Sequence, residues 1–350
     1  MKVIHLLCSN RFSGAENVIC QMINMFKDEP DIEMFYCSPD GQIRNALQER
    51  DIRFVPVSAL KQKEVKRVIT EQKPDVIYAH DMRASFIAAC VCGKTPLISH
   101  IHNNAFDSRG VSLKSIAYFW AAKKAKHIFW VSKTTFSGYA FHKFFSKKSS
   151  ILYNVIDTKL LKEKALKDEN QYDYDVVFMG RLTYPKNPER LMLVFSYLAE
   201  EMPEVKIAIV GTGELEGKVK MLAEEYDLIR NIDFLGFREN PLKILQDSKA
   251  MVMTSRWEGT PMCALEAQAF GVPIVSTPTD GLRDLIEHEK TGFLSDDNKS
   301  LANYLIKIIK DENLRKELSD NAICFSQEYN DIEKYKFMVE SVLKDVMVGI

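Results

Sequence analysis

Two carboxylates and the predicted start of a helix share one short segment of this sequence. Glu258 and Glu266 have seven residues between them, and Pro261 stands where the first residue of a helix belongs, after an apolar strand pattern. The first amides of such a helix, those of Met262 and Cys263, lack partners within the helix and can bind an anion. Because Glu258 precedes the helix and Glu266 lies inside it, both can address one ligand from different sides. The alternative is a solvated loop residue and a charge on the helix surface.

The sequence around this segment predicts strands and helices that alternate along the chain. Apolar runs such as residues 2–8 predict strands, and amphipathic stretches such as residues 15–26 predict helices, which is typical of βαβ units with a parallel sheet. The alternation restarts with a strand at residues 176–179, after a polar interval at residues 157–173. We therefore predict two doubly wound halves, with ligands at the carboxyl ends of the strands in the crevice between them. The tail, residues 313–347, has helical spacing and no strand pattern.

Length, composition and charge also indicate two globular domains. The chain has 350 residues, of which 46% are hydrophobic and 27% charged, and this excludes a low-complexity chain. Residues 1–150 carry 22 basic and 13 acidic side chains, whereas residues 151–350 carry 25 and 35, which supports a boundary near the middle. We predict one domain at residues 1–155 and a second at residues 156–329, with a helix at about 330–350 that packs back on the first.

Cysteine usage and hydropathy indicate a reducing compartment. No C-x-x-C pair of the metal or redox type occurs among the seven cysteines, and most of them lie in apolar segments. The N-terminal apolar run is too short for a signal-peptide core, and no apolar stretch approaches the roughly 18 residues of a membrane span. These features predict a cytoplasmic protein with reduced thiols.

Several further motifs follow one another in a set order. Gly180-Arg181-Leu182 with Lys186 follows a predicted strand, and Glu258 and Glu266 form an E-x7-E pattern. The other motifs are Ser13-Gly14-Ala15-Glu16, His102 after a strand, Ile209-Val210-Gly211-Thr212-Gly213, Phe234-Leu235-Gly236-Phe237, Asp280-Gly281 and Thr291-Gly292-Phe293-Leu294. This ordered set resembles family 4 retaining glycosyltransferases over nearly the whole chain. The resemblance implies the GT-B fold, an α/β architecture in which two Rossmann-like, doubly wound parallel-sheet domains face a central cleft.

The resemblance also implies a donor site for a nucleotide sugar, with a UDP-sugar as the expected donor. Preorganised cations stabilise the charge that develops on a diphosphate leaving group. The residues assigned to the diphosphate are Gly14, Arg181, Lys186, Met262 and Cys263. Glu266 is assigned to the ribose, Glu258 and His102 to the donor sugar, and Phe237 and Arg238 to the base. The expected catalytic residues are His102, Glu258, Arg181 and Lys186.

Two residues depart from the family pattern. Asn187 stands where the family usually has glycine after the lysine, and this puts the detailed shape of that loop in doubt. Ser13 replaces one glycine of the first loop, which tightens the approach to phosphate slightly.

Three other patterns imitate different sites. Gly211-Thr212-Gly213 followed by Gly217 imitates a dinucleotide fingerprint, but its third glycine is misplaced. Asp173-Tyr174-Asp175 imitates a metal-binding D-x-D motif, but it precedes a strand where that motif should follow one. His100-Ile101-His102 imitates a metal pair without a carboxylate cluster. We therefore expect no metal and no cofactor, because Arg181, Lys186 and helix amides can neutralise a diphosphate.

A basic and aromatic segment occupies residues 108–150. It has nine basic residues, no acidic residue and ten aromatic residues. Its clustered lysines are Lys123, Lys124, Lys126, Lys143, Lys147 and Lys148. This composition suits an anionic membrane surface next to the acceptor side, and it would also suit nucleic acid or a solvated face over buried aromatics.

The leading hypothesis is a retaining, metal-independent glycosyltransferase that moves a sugar from a nucleotide donor to a hydroxyl of a glycan or lipid-linked acceptor. Such a reaction would serve polysaccharide or lipopolysaccharide biosynthesis, with peripheral contact to the inner face of a membrane and no nucleic-acid partner. The alternatives are a GT-B sugar phosphorylase, a nucleotide-sugar epimerase, or a non-catalytic protein that binds nucleotide or RNA.

Overall fold

The computed structural model describes residues 1–103 and 106–348. The chain forms two compact units, which we call the N-terminal unit and the C-terminal unit. The N-terminal unit comprises Met1–Asn154 and the segment that begins at Glu333, and the C-terminal unit comprises Val155–Ile332. Among the described residues, every helix is too short or too polar to cross a membrane. All seven cysteines are free thiols.

The N-terminal unit is built on a seven-stranded sheet, counted over the described residues. Its strands are β1 (Lys2–Leu6), β2 (Glu33–Pro39), β3 (Phe54–Val57), β4 (Val76–His80), β5 (Leu97–Ile101), β6 (His127–Trp130) and β7 (Ser149–Ile151). Its helices before the C-terminal unit are α1 (Gly14–Met25), α2 (Ile43–Glu49), α3 (Gln62–Gln72), α4 (Met82–Val91), α5 (Phe106–Arg109), α6 (Leu113–Lys124) and α7 (Lys133–Gly138). A 3₁₀ helix spans His142–Lys148. All strand pairs are parallel, in the order β3-β2-β1-β4-β5-β6-β7.

The C-terminal unit repeats this plan with six strands over the described residues. Its strands are β8 (Val176–Met179), β9 (Ile207–Val210), β10 (Ile232–Gly236), β11 (Ala250–Met253), β12 (Ile274–Ser276) and β13 (Gly292–Leu294). Its helices are α8 (Thr158–Ala165), α9 (Pro188–Glu201), α10 (Glu216–Glu225), α11 (Leu242–Gln246), α12 (Met262–Phe270), α13 (Asp280–Leu285), α14 (Asn298–Lys310) and α15 (Glu312–Tyr329). A 3₁₀ turn spans Tyr184–Lys186, and α16 (Ile332–Val348) continues into the N-terminal unit.

The order of the strands creates one crossover point in each sheet. The C-terminal sheet has the order β10-β9-β8-β11-β12-β13. Strands β9 and β10 are added on one side of β8, and β11 to β13 are added on the other side, so the strand order reverses between β8 and β11. In the N-terminal sheet the same reversal lies between β1 and β4. Ligands of open α/β sheets bind beyond the carboxyl ends of the strands at such points. We call the one between β8 and β11 the switch point.

The polar interval at residues 157–173 contains a helix, α8, that the sequence pattern did not predict. Asp157 caps this helix: its carboxylate accepts hydrogen bonds from the amides of Lys159 and Leu160 at 3.0 and 2.9 Å. Leu161 and Ala165, four residues apart, are buried on one face. Two apolar positions in a lysine-rich stretch give too weak a periodic pattern for a sequence-based prediction.

Candidate active site

Two loops meet at the switch point, one after β8 and one after β11. Because β8 and β11 are neighbouring parallel strands, their carboxyl ends open at the same edge of the sheet. Arg181 follows β8 by two residues, and Glu258 follows β11 by five. The two motifs are therefore brought together although about 75 residues of chain separate them.

The loop that carries Arg181 is packed against a glycine turn after β9. Gly211 has a φ of +131°, and a Cβ at this position would lie 2.0 Å from the carbonyl oxygen of Gly180. A Cβ on Gly213 would lie 2.2 Å from the carbonyl oxygen of Leu182. Backbone packing therefore requires glycine at both positions, and this accounts for the G-x-G spacing that imitates a dinucleotide fingerprint. Arg181 itself is exposed, and among the described residues its side chain has no hydrogen bond.

Lys186 and Glu258 form an ion pair at the switch point. The Nζ of Lys186 lies 2.5 Å from the Oε1 of Glu258, and the side chains are only 18% and 11% exposed. The hydroxyl of Ser255 donates to the same Oε1 at 2.5 Å. Burial lowers the pKa of Lys186, but Glu258 and Cys263 together outweigh burial, and the net pKa is raised. Lys186 is therefore a cation fixed in place by the ion pair. The Oε2 of Glu258 accepts no hydrogen bond within the described residues.

Backbone contacts hold the two loops together. The hydroxyl of Thr254, at the end of β11, donates to the carbonyl oxygens of Lys186 and Asn187 at 3.3 and 3.1 Å. The amide of Arg256 donates to the carbonyl oxygen of Pro185 at 2.8 Å. Asn187 has φ 52° and ψ 54°, a left-handed conformation that glycine and asparagine favour. The asparagine at this position is thus compatible with a loop shape that glycine also allows.

The helix start after Glu258 differs by one residue from the prediction. Helix α12 begins at Met262, and Pro261 precedes it as the N-cap with φ −71° and ψ 124°. The first intrahelical bond runs from the amide of Ala264 to the carbonyl oxygen of Pro261 at 3.1 Å. The amides of Met262 and Cys263 have no backbone partner among the described residues. They are positioned to bind an anion at the end of this nine-residue helix.

Glu266 is half-buried on α12. Within this helix only Cys263, Glu266 and Phe270 are partly exposed, at a spacing of three and then four residues. Burial raises the pKa of Glu266 to about 7, and the positive charge of Lys164 on α8 opposes this shift. Burial also raises the pKa of the Cys263 thiol to about 12. Lys164 was missed by the sequence analysis because it lies on the helix that was not predicted.

Phe237 and Arg238 follow β10 at the same edge of the sheet. Both are exposed, Phe237 to 69%. Strand β9 separates β10 from β8, which places the end of β10 about 10 Å from the end of β8. The aromatic ring and the guanidinium are thus free to contact a flat ligand group.

Gly14 and His102 belong to the N-terminal unit. Gly14 is the first residue of α1, and a Cβ there would meet nothing within 4 Å, so packing does not require glycine at this position. His102 follows β5 and is 9% exposed. Burial lowers its pKa to about 4, and its Nε2 lies 2.8 Å from the Nδ1 of His80.

The acidic D-x-D segment is engaged in surface contacts. The Asp173 carboxylate pairs with Lys206 at 2.7 Å, and the Asp175 carboxylate pairs with Lys249 at 2.8 Å. Over the described parts of the chain, one group of side chains comes close enough to share a metal ion: His80, His100 and His102. The sequence pattern showed only two of these histidines, because His80 comes from the preceding strand.

Known structures with this pair of units share the predicted GT-B fold, which is thereby confirmed. HepE from Anabaena, solved in complex with UDP-glucose, matches with a TM-score of 0.85 at 21% identity, over 99% of this chain and 100% of that chain. Sucrose-phosphate synthase from Thermosynechococcus elongatus matches with a TM-score of 0.80 at 14% identity, over 100% of both chains.

Sequence comparisons identify the family. The model described as Glycosyl transferases group 1 matches residues 159–324, and the model described as Glycosyltransferase Family 4 matches residues 12–160. The UDP-Gal:alpha-D-GlcNAc-diphosphoundecaprenol alpha-1,3-galactosyltransferase of Escherichia coli is 26% identical, over 89% of each chain. The GalNAc-alpha-(1->4)-GalNAc-alpha-(1->3)-diNAcBac-PP-undecaprenol alpha-1,4-N-acetyl-D-galactosaminyltransferase of Campylobacter jejuni is 28% identical, over 92% of each. The chain belongs to glycosyltransferase family 4 and is a transferase, as the sequence motifs predicted.

Proposed function

We propose that this protein transfers a sugar from a UDP-sugar to a hydroxyl of a glycan or lipid-linked acceptor, with retention of configuration and without a bound metal. The observation that carries this proposal is the Lys186–Glu258 pair at the switch point, which interacts electrostatically with Arg181 and with Cys263. The amide of Cys263, at the start of α12, has no backbone partner among the described residues. Two family relatives are named for transfer to diphosphoundecaprenol-linked glycans, which supports this class of acceptor.

The proposed chemistry separates the donor sugar from its diphosphate. The bond between the anomeric carbon and the phosphate oxygen breaks, and the diphosphate leaves with the electron pair. The acceptor oxygen bonds to the anomeric carbon on the same face, and its proton passes to the leaving phosphate oxygen. Arg181, Lys186 and the α12 amides stabilise the charge on this leaving group. Glu258 uses its free Oε2 for a hydroxyl of the sugar, and Glu266 holds the ribose.

A donor screen tests the nucleotide and the absence of a metal together. UDP-, GDP- and ADP-sugars are added separately to the protein, with and without EDTA, and thermal unfolding is followed. A ligand at 100 times its Kd stabilises the folded state by about 2.7 kcal/mol. We expect a UDP-sugar to raise Tm equally in both conditions, and sugar transfer to a lipid-linked acceptor to survive EDTA. Activity that EDTA abolishes and Mn²⁺ or Mg²⁺ restores would contradict the metal-independent mechanism.

The raised pKa of Glu266 predicts that its contribution to UDP binding depends on pH. A protonated carboxyl accepts the ribose hydroxyls less well than a carboxylate, so affinity should rise as pH passes through about 7. Stability changes in the opposite direction. The folded-state pKa of Glu266 lies above its value in the unfolded chain, so its stabilisation is complete below pH 4.5 and is lost as pH rises through about 7.

Replacing Glu266 with glutamine removes this titration. We expect Glu266→Gln to weaken UDP binding at pH 8 but to change it little at pH 6, as measured by calorimetry. The same variant should gain Tm relative to the wild type at pH 8 and not at pH 4.5. Parallel pH profiles of affinity in the two proteins would show that Glu266 does not contact the nucleotide. UDP is used at both pH values, so the titration of its own phosphate cancels in the comparison.

Contact with an anionic membrane is a second proposed property, and it is favoured by an exposed apolar stripe. Leu113, Ile116 and Trp120 lie on one face of α6 and are 88%, 51% and 44% exposed. Phe144, on the 3₁₀ helix, is 74% exposed. The exposed lysines beside these side chains in sequence are Lys123, Lys124, Lys126, Lys143 and Lys147. Exposed lysines next in sequence to exposed apolar side chains fit the interface of an anionic bilayer.

Lys148 does not fit this surface. Its Nζ donates to the carbonyl oxygens of Lys123, in the last turn of α6, and of Ala125, the C-cap of that helix, at 3.0 and 2.6 Å. Burial lowers its pKa. The prediction that Lys148 belongs to the membrane patch is therefore revised: this lysine caps α6. Several aromatics of the segment, including Tyr118, Trp130 and Tyr139, are likewise buried in the core.

Charge reversal within this surface tests membrane binding. We expect Lys143→Glu with Lys147→Glu to release the protein from anionic vesicles, because each basic residue near such a surface contributes about 1 kcal/mol. The matched control is Lys63→Glu with Lys66→Glu, which makes the same charge change on exposed lysines of α3. Equal loss of vesicle binding in both double variants would indicate an effect of net charge alone. Unchanged vesicle binding in both would mean that these lysines are an ordinary solvated face. Trp120→Ala should reduce the binding that persists at high salt.

A further inference from the structure

Three histidine rings form a continuous hydrogen-bonded chain in the N-terminal sheet. The Nδ1 of His80 lies 2.8 Å from the Nε2 of His102, and the Nε2 of His80 lies 2.9 Å from the Nδ1 of His5. The chain ends at the buried thioether of Met34, whose sulfur lies 3.3 Å from the Nε2 of His5. At the other end, the Nδ1 of His102 is buried and has no hydrogen-bond partner within residues 1–103 and 106–348.

This geometry suits a hydrogen-bonded chain better than a metal site. Two nitrogens that bind one tetrahedral Zn²⁺ at about 2.0–2.1 Å lie about 3.3 Å apart. The facing nitrogens of His80 and His102 are closer, at 2.8 Å, and therefore share a proton. Only the Nε2 of His100 and the Nδ1 of His102 lack partners in this group. Two free nitrogens are fewer than the three protein ligands of a catalytic zinc site.

All three rings are neutral near pH 7. Burial lowers the pKa of His5 to about 3 and that of His102 to about 4, and it lowers the pKa of His80 well below its usual value. A neutral imidazole has one N–H donor and one acceptor nitrogen. Which nitrogen of each ring carries the proton therefore depends on the neighbouring ring. If every contact is to be a hydrogen bond, all three rings must donate in the same direction along the chain, and two such directions exist.

The thioether selects one of these directions. A methionine sulfur can accept a hydrogen bond but cannot donate one. If His5 donates from Nε2 to this sulfur, His80 donates to His5, and His102 donates to His80, so that three hydrogen bonds form. In the reverse direction only two hydrogen bonds form. The Nε2 lone pair of His5 then faces the sulfur, and the Nδ1–H of His102 is buried without an acceptor among the described residues. Buried unpaired donors are unfavourable, so the first direction is preferred.

We propose that Met34, through His5 and His80, fixes the tautomer of His102. His102 then carries its proton on Nε2, and its buried Nδ1 keeps an unshared lone pair. Met34, His5 and His80 are positioning residues, since they act through His102.

Nitrogen NMR of the ligand-free, full-length protein tests the direction of the chain. With ¹⁵N in the histidine rings, long-range proton correlations distinguish a protonated from an unprotonated ring nitrogen. Signals are assigned by replacing one histidine at a time. We expect His5, His80 and His102 all to be protonated at Nε2. A proton on Nδ1 of His102 would overturn the proposal, and so would a joint shift of His80, His100 and His102 on addition of Zn²⁺ alone.

A methionine variant tests the cause. Met34→Leu conserves volume but removes the acceptor, so the signals of His102 should move toward the average of its two tautomers. The matched control is Met22→Leu, at a fully buried methionine of α1 in the same unit, and it should leave the histidine signals unchanged. Unchanged His102 signals in folded Met34→Leu would show that the sulfur does not set the direction. The wild-type spectrum stands as a test even if this variant does not fold.

Discussion

Replacing Arg181 with alanine is expected to lower kcat by two orders of magnitude or more without lowering Tm. The guanidinium is exposed and makes no hydrogen bond within the described residues, so its loss leaves no buried group unpaired. Removal of one preorganised donor that stabilises developing charge costs about 10² to 10³ in kcat. The measurement is the rate of sugar transfer under saturating donor, together with thermal unfolding of the same preparation.

Arg230→Ala is the matched control for this variant. Arg230 is also an exposed arginine of the C-terminal unit, but it precedes β10 and so lies at the amino end of the sheet. Its replacement should leave both kcat and Tm near the wild-type values. If Arg181→Ala keeps the wild-type kcat, the leaving group is stabilised by other residues, and the assignment of the diphosphate site at the switch point fails.

Breaking the Lys186–Glu258 pair from one side is expected to reduce both activity and stability. Lys186→Met removes a cation from the leaving-group site, which predicts a loss of about two orders of magnitude in kcat. It also leaves the mostly buried Glu258 carboxylate with the Ser255 hydroxyl as its one remaining partner in the described part of the chain. Loss of one partner from a buried ion pair costs about 3 kcal/mol of unfolding free energy. Denaturant unfolding and transfer kinetics measure the two effects separately.

The double variant Lys186→Met with Glu258→Gln distinguishes stability from catalysis. Because both charges are removed, most of the lost unfolding free energy should return, while kcat should stay as low as in Lys186→Met or lower. Recovery of activity together with stability would mean that the lysine is structural only. A single variant Glu258→Gln should retain the fold, since glutamine can still accept from Lys186 and Ser255.

The fold class was predictable from sequence because parallel sheets have a strong local pattern. Their strands are covered by helices on both faces, so they occur as short, uniformly apolar runs between amphipathic stretches. Strand β8 spans the predicted residues 176–179, and α12 begins one residue after the predicted start at Pro261. Helix α8 was missed because it buries only Leu161 and Ala165. A local pattern of this kind carries no information about which strands become neighbours.

The sequence by itself determined the alternation of strands and helices, the glycine turns, the E-x7-E segment and the ordered motifs that identify the family. Tertiary structure alone decided which of these groups touch. Lys186 pairs with Glu258 only because β8 lies beside β11, and His5, His80 and His102 align only because β1, β4 and β5 are adjacent. Burial, which sets the pKa of Glu266 and the neutral state of the histidines, also depends on packing. Residue types follow from local sequence, whereas proximity and desolvation follow from strand order, which only the folded chain establishes.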